Sequence, residues 1–250
     1  MLSDALHQPG AVRPASPPPL GPVGTLLLFG GAAALLFGAT HGLIPVLAAR
    51  TGVESVVLWF AAAGLGVFAP LLAAAGVLLR LEGALGEPSV WHQRLRFRSM
   101  ARADWLWSLG ALAAIWLLAA GGMTALRIVW GEVPLHPSFM SMEPLTRQRY
   151  WILGVWLPFW VLNIMAEEIL WRGVVLPRHE AAFGQWAWLV NGIGWLLFHL
   201  PFGFTILLTL APTTLILPYV VQRRRNSWTG VVIHAGLNGP GFVAVAFGLV

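Results

Sequence analysis

The chain contains no cysteine. This excludes disulfides, thiolate metal ligands and a cysteine nucleophile, and it leaves the compartment open. Lysine is absent too: all 15 basic residues are arginine. Aspartate is reduced to Asp4 and Asp104, which excludes a membrane-buried pair of catalytic aspartates. Charge of either sign is scarce, at 10% of residues where soluble domains carry roughly a quarter. A chain of 250 residues with 58% hydrophobic content and so few charges cannot clothe itself for water.

What is present are long apolar runs. Stretches of about 20 apolar residues, enough to cross roughly 30 Å of hydrocarbon as helix, recur along the whole chain. Spans are expected at about 24–48, 55–80, 104–128, 150–172, 184–200, 203–221 and 227–249. The fold class is therefore an all-α membrane protein of about seven transmembrane helices in a single bundle. Residues 1–22, with Pro14, Pro17, Pro18 and Pro19, read as a disordered tail, and 23–250 read as one polytopic domain. The first run ends in Leu47-Ala48-Ala49-Arg50, which loosely resembles a signal-peptide cleavage site. It is too long and starts too late for one, so it reads as a retained helix. Only Pro201-Phe202-Gly203 separates the fifth and sixth spans, so 184–221 reads either as two spans or as one broken span.

The net charge of +5 does not point to nucleic acid, because most arginines sit between apolar runs, where loops meet lipid head groups. Seven spans put Arg13, Arg80, Arg94, Arg96, Arg98, Arg102, Arg178, Arg223, Arg224 and Arg225 on one side, and only Arg50, Arg127, Arg147 and Arg149 on the other. The positive-inside rule then expects a cytoplasmic N-terminus and an external C-terminus. The all-arginine, Ala/Gly-rich usage fits a bacterial inner-membrane protein. Within 88–103, Trp91, Leu95 and Phe97 are interleaved with arginines, as in a helix lying in the membrane interface; a plain basic loop fits the same residues.

Ionisable side chains in hydrocarbon cost several kcal/mol and usually mark pathways or chemistry. Here they are Glu167, Glu168 and Arg172 late in the fourth span, His199 late in the fifth and His234 early in the seventh, with His41 and Arg127 elsewhere. Glu167, His199 and His234 lie 11, 15 and 8 residues from Arg178, Gly184 and Asn226. At 1.5 Å per residue these depths are roughly 16, 22 and 12 Å, near one level. Glu168 and Arg172, four apart, share a helix face and can pair. Glu167 points about 100° away and has no neutralising partner on its own helix, which suits a general base; both glutamates sharing Arg172 is the other reading. His234 and Asn238 also share a face, and both can donate to a developing oxyanion, although such a pair is often a plain interhelical contact. Trp195 lies one turn before His199, where its ring can pack over the imidazole.

These residues form an ordered set: Glu167-Glu168-x-x-x-Arg172, then Trp195-x-x-x-His199, then His234-x-x-x-Asn238. The set resembles the CPBP family, the CAAX proteases and bacteriocin-processing enzymes also called Abi proteins. Their motifs are E-E-x-x-x-R, F-x-x-x-H and H-x-x-x-N/D. The resemblance covers about 150–240, with Trp195 in place of the usual phenylalanine, a change expected to matter little. It implies glutamate-dependent intramembrane proteolysis. In that reading Glu167 and His199 activate water, His234 and Asn238 hold the oxyanion, and Glu168 and Arg172 maintain the geometry. No metal is expected; zinc on Glu167, His199 and His234 is the less favoured alternative, because no helix supplies a tight ligand pair.

Other protease classes lack their signatures. His179-Glu180-Ala-Ala-Phe183 is not a complete H-E-x-x-H and is expected in a loop, and there is no Gly-x-Ser-Gly for a rhomboid serine protease. The rival functions are a non-catalytic membrane protein that binds a partner helix, as an immunity or scaffold protein would, and a proton-coupled transporter. No inverted repeat supports the transporter. The expected partners are the lipid bilayer and a membrane-associated peptide or protein. The family's substrates include prenylated CaaX tails, bacteriocin peptides and C-terminal sorting signals, and a bacterial source favours the last two.

Overall fold

A computed structural model describes residues 17–84, 88–134, 136–140 and 142–249, with the side chains of 88–90 outside that description. Most of the expected tail, 1–16, lies outside it as well. Among the described residues every regular element is helical. Six stretches are long and apolar enough to cross a membrane, so the chain is an integral membrane protein. They include α1 (Pro22–Thr51), α2 (Ser55–Leu81) and, after a short α3 (Pro88–Arg94), α4 (Arg102–Trp130). The fourth stretch, Trp151–Phe198, has 48 residues, about 70 Å if straight, and it folds back on itself. It comprises α5 (Trp151–Glu167), a π-helical stretch Glu168–Val175, α6 (Leu176–Phe183) and a returning α7 (Ala187–Phe198). The last two are α8 (Phe204–Arg224) and α9 (Ser227–Ala246).

The fold-back occurs at Gly184, whose φ of 58° lies in a region that side chains disfavour. Gln222 near the end of α8 locks it: its Oε1 accepts from the Trp188 amide at 2.7 Å and its Nε2 donates to the Gly184 carbonyl at 3.3 Å. Halfway along, a Cβ at Gly192 would meet the Thr214 carbonyl and sit 3.2 Å from Leu215. Residues 184–221 are thus two antiparallel arms packed backbone to backbone. The first is a helix of 12 residues, about 18 Å. It reaches His199, where a turn takes over.

The expected loop at 173–183 is instead helical, because the fourth span continues through the π stretch into α6. His179 accordingly sits inside a helix, fully buried, with its Nε2 2.9 Å from Thr25 Oγ1 of α1. Residues 88–103 open with a short helix, α3 (Pro88–Arg94), and are not a free basic loop. They cap one end of the bundle: Arg94 donates to the carbonyls of Gly173 (2.9 Å) and Val174 (3.3 Å), and Ser227 Oγ donates to the Leu95 carbonyl (2.6 Å). The physical reason lies at the end of the stretch. Its last π bond runs from the Leu176 amide to the Trp171 carbonyl, and Pro177, four residues after Gly173, has no N–H to offer the Gly173 carbonyl, so a buried arginine supplies the donor. A Cβ on Gly173 would come within 2.7 Å of Leu95, so glycine is what lets the cap close.

Candidate active site

Four elements bring the motif residues together. Glu167 ends α5 and Glu168 opens the π stretch, while Trp195 and His199 lie at the end of α7 and His234 and Asn238 in the middle of α9. All but Asn238 are buried: Glu168 and Arg172 are 0% exposed, Glu167 1%, His234 3% and His199 8%. His234 Nδ1 lies 2.9 Å from Glu168 Oε1. Because a carboxylate only accepts, Nδ1 carries the proton and donates. Gly230, one turn earlier on α9, makes this approach possible, since a Cβ there would collide with Glu168 Oε2.

The other imidazole is set by a different partner. His199 Nδ1 donates to the Trp195 carbonyl at 2.9 Å, so Nε2 bears the lone pair. That nitrogen has no protein partner among the described residues. Trp195 is the common neighbour of the cluster. Its ring stands edge-on to His199 (centroids 5.6 Å apart) and to His234 (5.3 Å), and the Arg172 guanidinium lies 3.6 Å over its face. The expected packing against His199 is therefore edge-on. Tryptophan in place of the usual phenylalanine adds a contact: the indole N–H donates to Glu167 Oε2. A phenylalanine has no such donor.

Glu167 has a second donor that the motifs do not name. Asn163, one turn earlier on α5, donates from Nδ2 to Glu167 Oε1 at 3.0 Å and accepts from Asn238 Nδ2 at 3.3 Å. Asn238 Nδ2 in turn lies 3.2 Å from His234 Nε2. A continuous chain of polar contacts therefore runs Glu168–His234–Asn238–Asn163–Glu167–Trp195–His199. The signal for Asn163 was present as a lone polar residue four positions before Glu167 in an apolar run.

Arg172 pairs with Glu168 at 3.5 Å, as the spacing predicts, but His234 is the closer partner of that carboxylate. None of the three guanidinium nitrogens makes a hydrogen bond among the described residues, and neither does Glu168 Oε2. The three zinc candidates do not converge: both Glu167 oxygens face N–H donors, His234 is engaged at both nitrogens, and no three His, Asp or Glu side chains among the described residues meet at metal-ligand geometry. His41 and Arg127 lie apart from the cluster, with His41 against Phe37 and Thr40 of its own helix.

Fold and site together define a helical membrane protein with two glutamates, two histidines and Asn163 buried in its bundle and Asn238 at the exposed edge of the cluster. The family described as Type II CAAX prenyl endopeptidase, Rce1-like, matches residues 149–239. That stretch contains every motif residue and Asn163, in agreement with the resemblance drawn from the motifs. No curated protein and no solved structure matches the chain.

Proposed function

We propose that the chain is an intramembrane endopeptidase acting on membrane-associated peptides or protein C-terminal segments, and that it works without a metal. The observation that carries this reading is Glu167: a fully buried carboxylate held by two neutral donors, Trp195 and Asn163, with no cation bonded to it. A carboxylate with no ion-pair partner is placed to accept a proton from water. Glu167 and the free Nε2 of His199 flank the same indole, and between them they draw the proton from the attacking water. The resulting hydroxide adds to the scissile carbonyl. The oxyanion is received by Asn238 Nδ2 and His234 Nε2, which are 3.2 Å apart; at rest Nε2 accepts from that amide, and once the ring takes a second proton from solvent both groups donate to the incoming oxygen. Collapse breaks the C–N bond, and the proton taken from water passes to the leaving amine. Glu168 fixes the His234 ring through Nδ1, in the way a carboxylate orients a catalytic imidazole.

The arginine-rich end, capped by 88–103, is assigned to the cytoplasm by the positive-inside rule, in a bacterial inner membrane. The test is a digest. Wild-type protein purified in detergent is incubated with membrane proteins of its host cell, beside Glu167→Ala, and new termini are read by mass spectrometry. Termini made by the wild type alone support the proposal. Identical termini from both proteins overturn it.

A further inference from the structure

We propose that Asn163, outside the three motifs, is a positioning residue that couples the general base to the oxyanion donors. The inference rests on the assignment of Glu167 as base. A carboxylate only accepts hydrogen bonds, so the amide of Asn163 has one orientation: its Nδ2 toward Glu167 Oε1 at 3.0 Å and its Oδ1 away. That oxygen then dictates the neighbouring amide. Asn238 lies 3.3 Å from Asn163 Oδ1 and must turn its Nδ2 inward to satisfy it. The same Nδ2 faces His234 Nε2, where the oxyanion is received. An asparagine on α5 therefore decides that the edge Asn238 offers the substrate is a donor and not a carbonyl.

The arrangement is a built one. Asn163 is 8% exposed and stands on the same face of α5 as Glu167, four residues on. Both ends of its amide are engaged, one on α5 and one on α9. Asparagine presents a donor and an acceptor in one plane at this reach; glutamine carries the same amide one methylene farther out. Alanine removes both contacts. Aspartate keeps the shape and the oxygen toward Asn238 but sets an oxygen against Glu167.

The experiment measures kcat and KM separately. The probe is the sequence cut by the wild type in the digest above, prepared as a donor–quencher peptide. Asn163→Ala should lower kcat about tenfold to a hundredfold, the scale of a misplaced reacting group, with KM within about threefold. Asn163→Asp should lose at least as much. Asn163→Ala combined with Asn238→Ala should lose little beyond the larger single loss, because both break one linkage. Three results overturn the proposal: kcat within twofold of wild type in both single variants, a loss confined to KM, or a double variant whose loss is the product of the two. Failure here is separable from failure of the base assignment. An inactive Glu167→Gln beside a fully active Asn163→Ala removes only the role of Asn163, whereas an active Glu167→Gln removes the base itself.

Discussion

Buried charge occurs in two places in this bundle, and the two are built differently. At the arginine-rich end, Glu82 receives Arg94 Nε at 2.6 Å and Arg178 Nε at 2.7 Å, while Arg94 also caps carbonyls of the π stretch. Asp104 takes Arg224 at 2.8 Å, the Ala101 amide at 2.9 Å and Asn226 at 3.3 Å. Every strong acceptor there has close donors of opposite charge. Along α5 and the π stretch, Glu167 has only neutral donors and Arg172 has no hydrogen bond, its nearest carboxylate being 3.5 Å away. A folded chain that can satisfy charge well at one end and leaves it under-satisfied at its centre is giving up stability where chemistry needs reactive groups. Under the proposed function, the end anchors the bundle and the centre carries the chemistry.

The hardest test of that contrast is Glu167→Gln. The change keeps size and accepting oxygen but removes the base, so peptidase activity should fall at least 10²- to 10⁴-fold, about the range of a lost general base. The melting midpoint in detergent should hardly move. A large drop in stability with activity retained would make Glu167 an anchor like Glu82.

Next in size is the Glu168–Arg172 pair. Removing one member of a buried pair leaves the other uncompensated, at a cost of roughly 3–5 kcal/mol. Arg172→Ala and Glu168→Ala should each lower the melting midpoint and the activity, and the double variant should recover part of the stability. Glu167→Ala should cost far less stability than either. If it costs as much as Arg172→Ala, the division of labour between the two glutamates is reversed.

A smaller effect is expected for Trp195→Phe, which restores the residue usual in the resembling family. Phenylalanine keeps the aromatic faces against Arg172, His199 and His234 and deletes only the donor to Glu167. An unpaired buried acceptor costs about 1–3 kcal/mol. Activity should fall about tenfold or somewhat more while the protein still folds; unchanged kcat would show that the indole N–H is not part of the site.

How far this was readable from sequence follows the range of each interaction. Helical spans come from local composition, so their approximate positions could be read directly, except for the end of the fourth, which runs on to Phe183. The grouping of Glu167, His199 and His234 came from counting residues inward from the boundaries, which works because a membrane gives separate helices one common ruler. Asn163 was within reach by the same spacing rule that pairs Glu168 with Arg172, but an amide in an apolar run carries no charge to flag it. The π stretch leaves no periodic trace over eight residues, and without it Arg94, Gly173 and Leu95 had no evident reason to meet. The role of Trp195 required knowing which edge of its ring faced α5, and that is fixed only by packing.

The smallest prediction probes the anchoring end by pH. Burial by itself would raise the Glu82 carboxyl, but the hydrogen bonds from Arg94 and Arg178 outweigh it and hold the group below its ordinary 4.5. A carboxyl whose folded value lies below its unfolded one binds protons more tightly when unfolded. Its contribution to stability is therefore complete above about pH 5 and is lost as pH falls from the unfolded value through the folded one. Melting midpoints in detergent, taken from pH 7 down to pH 3, should decline on the acid side in the wild type. Glu82→Gln should start lower at pH 7, because two arginines lose their shared anion, and should then decline less steeply. The activity of Glu82→Gln, measured at pH 7 and at a temperature where it remains folded, should stay close to wild type, because no atom of this cluster bonds to Glu167, His199 or Asn238. Parallel acid slopes in the two proteins would mean that another carboxyl governs the acid limit, with Asp104, bonded to Arg224 and Asn226, the next to replace.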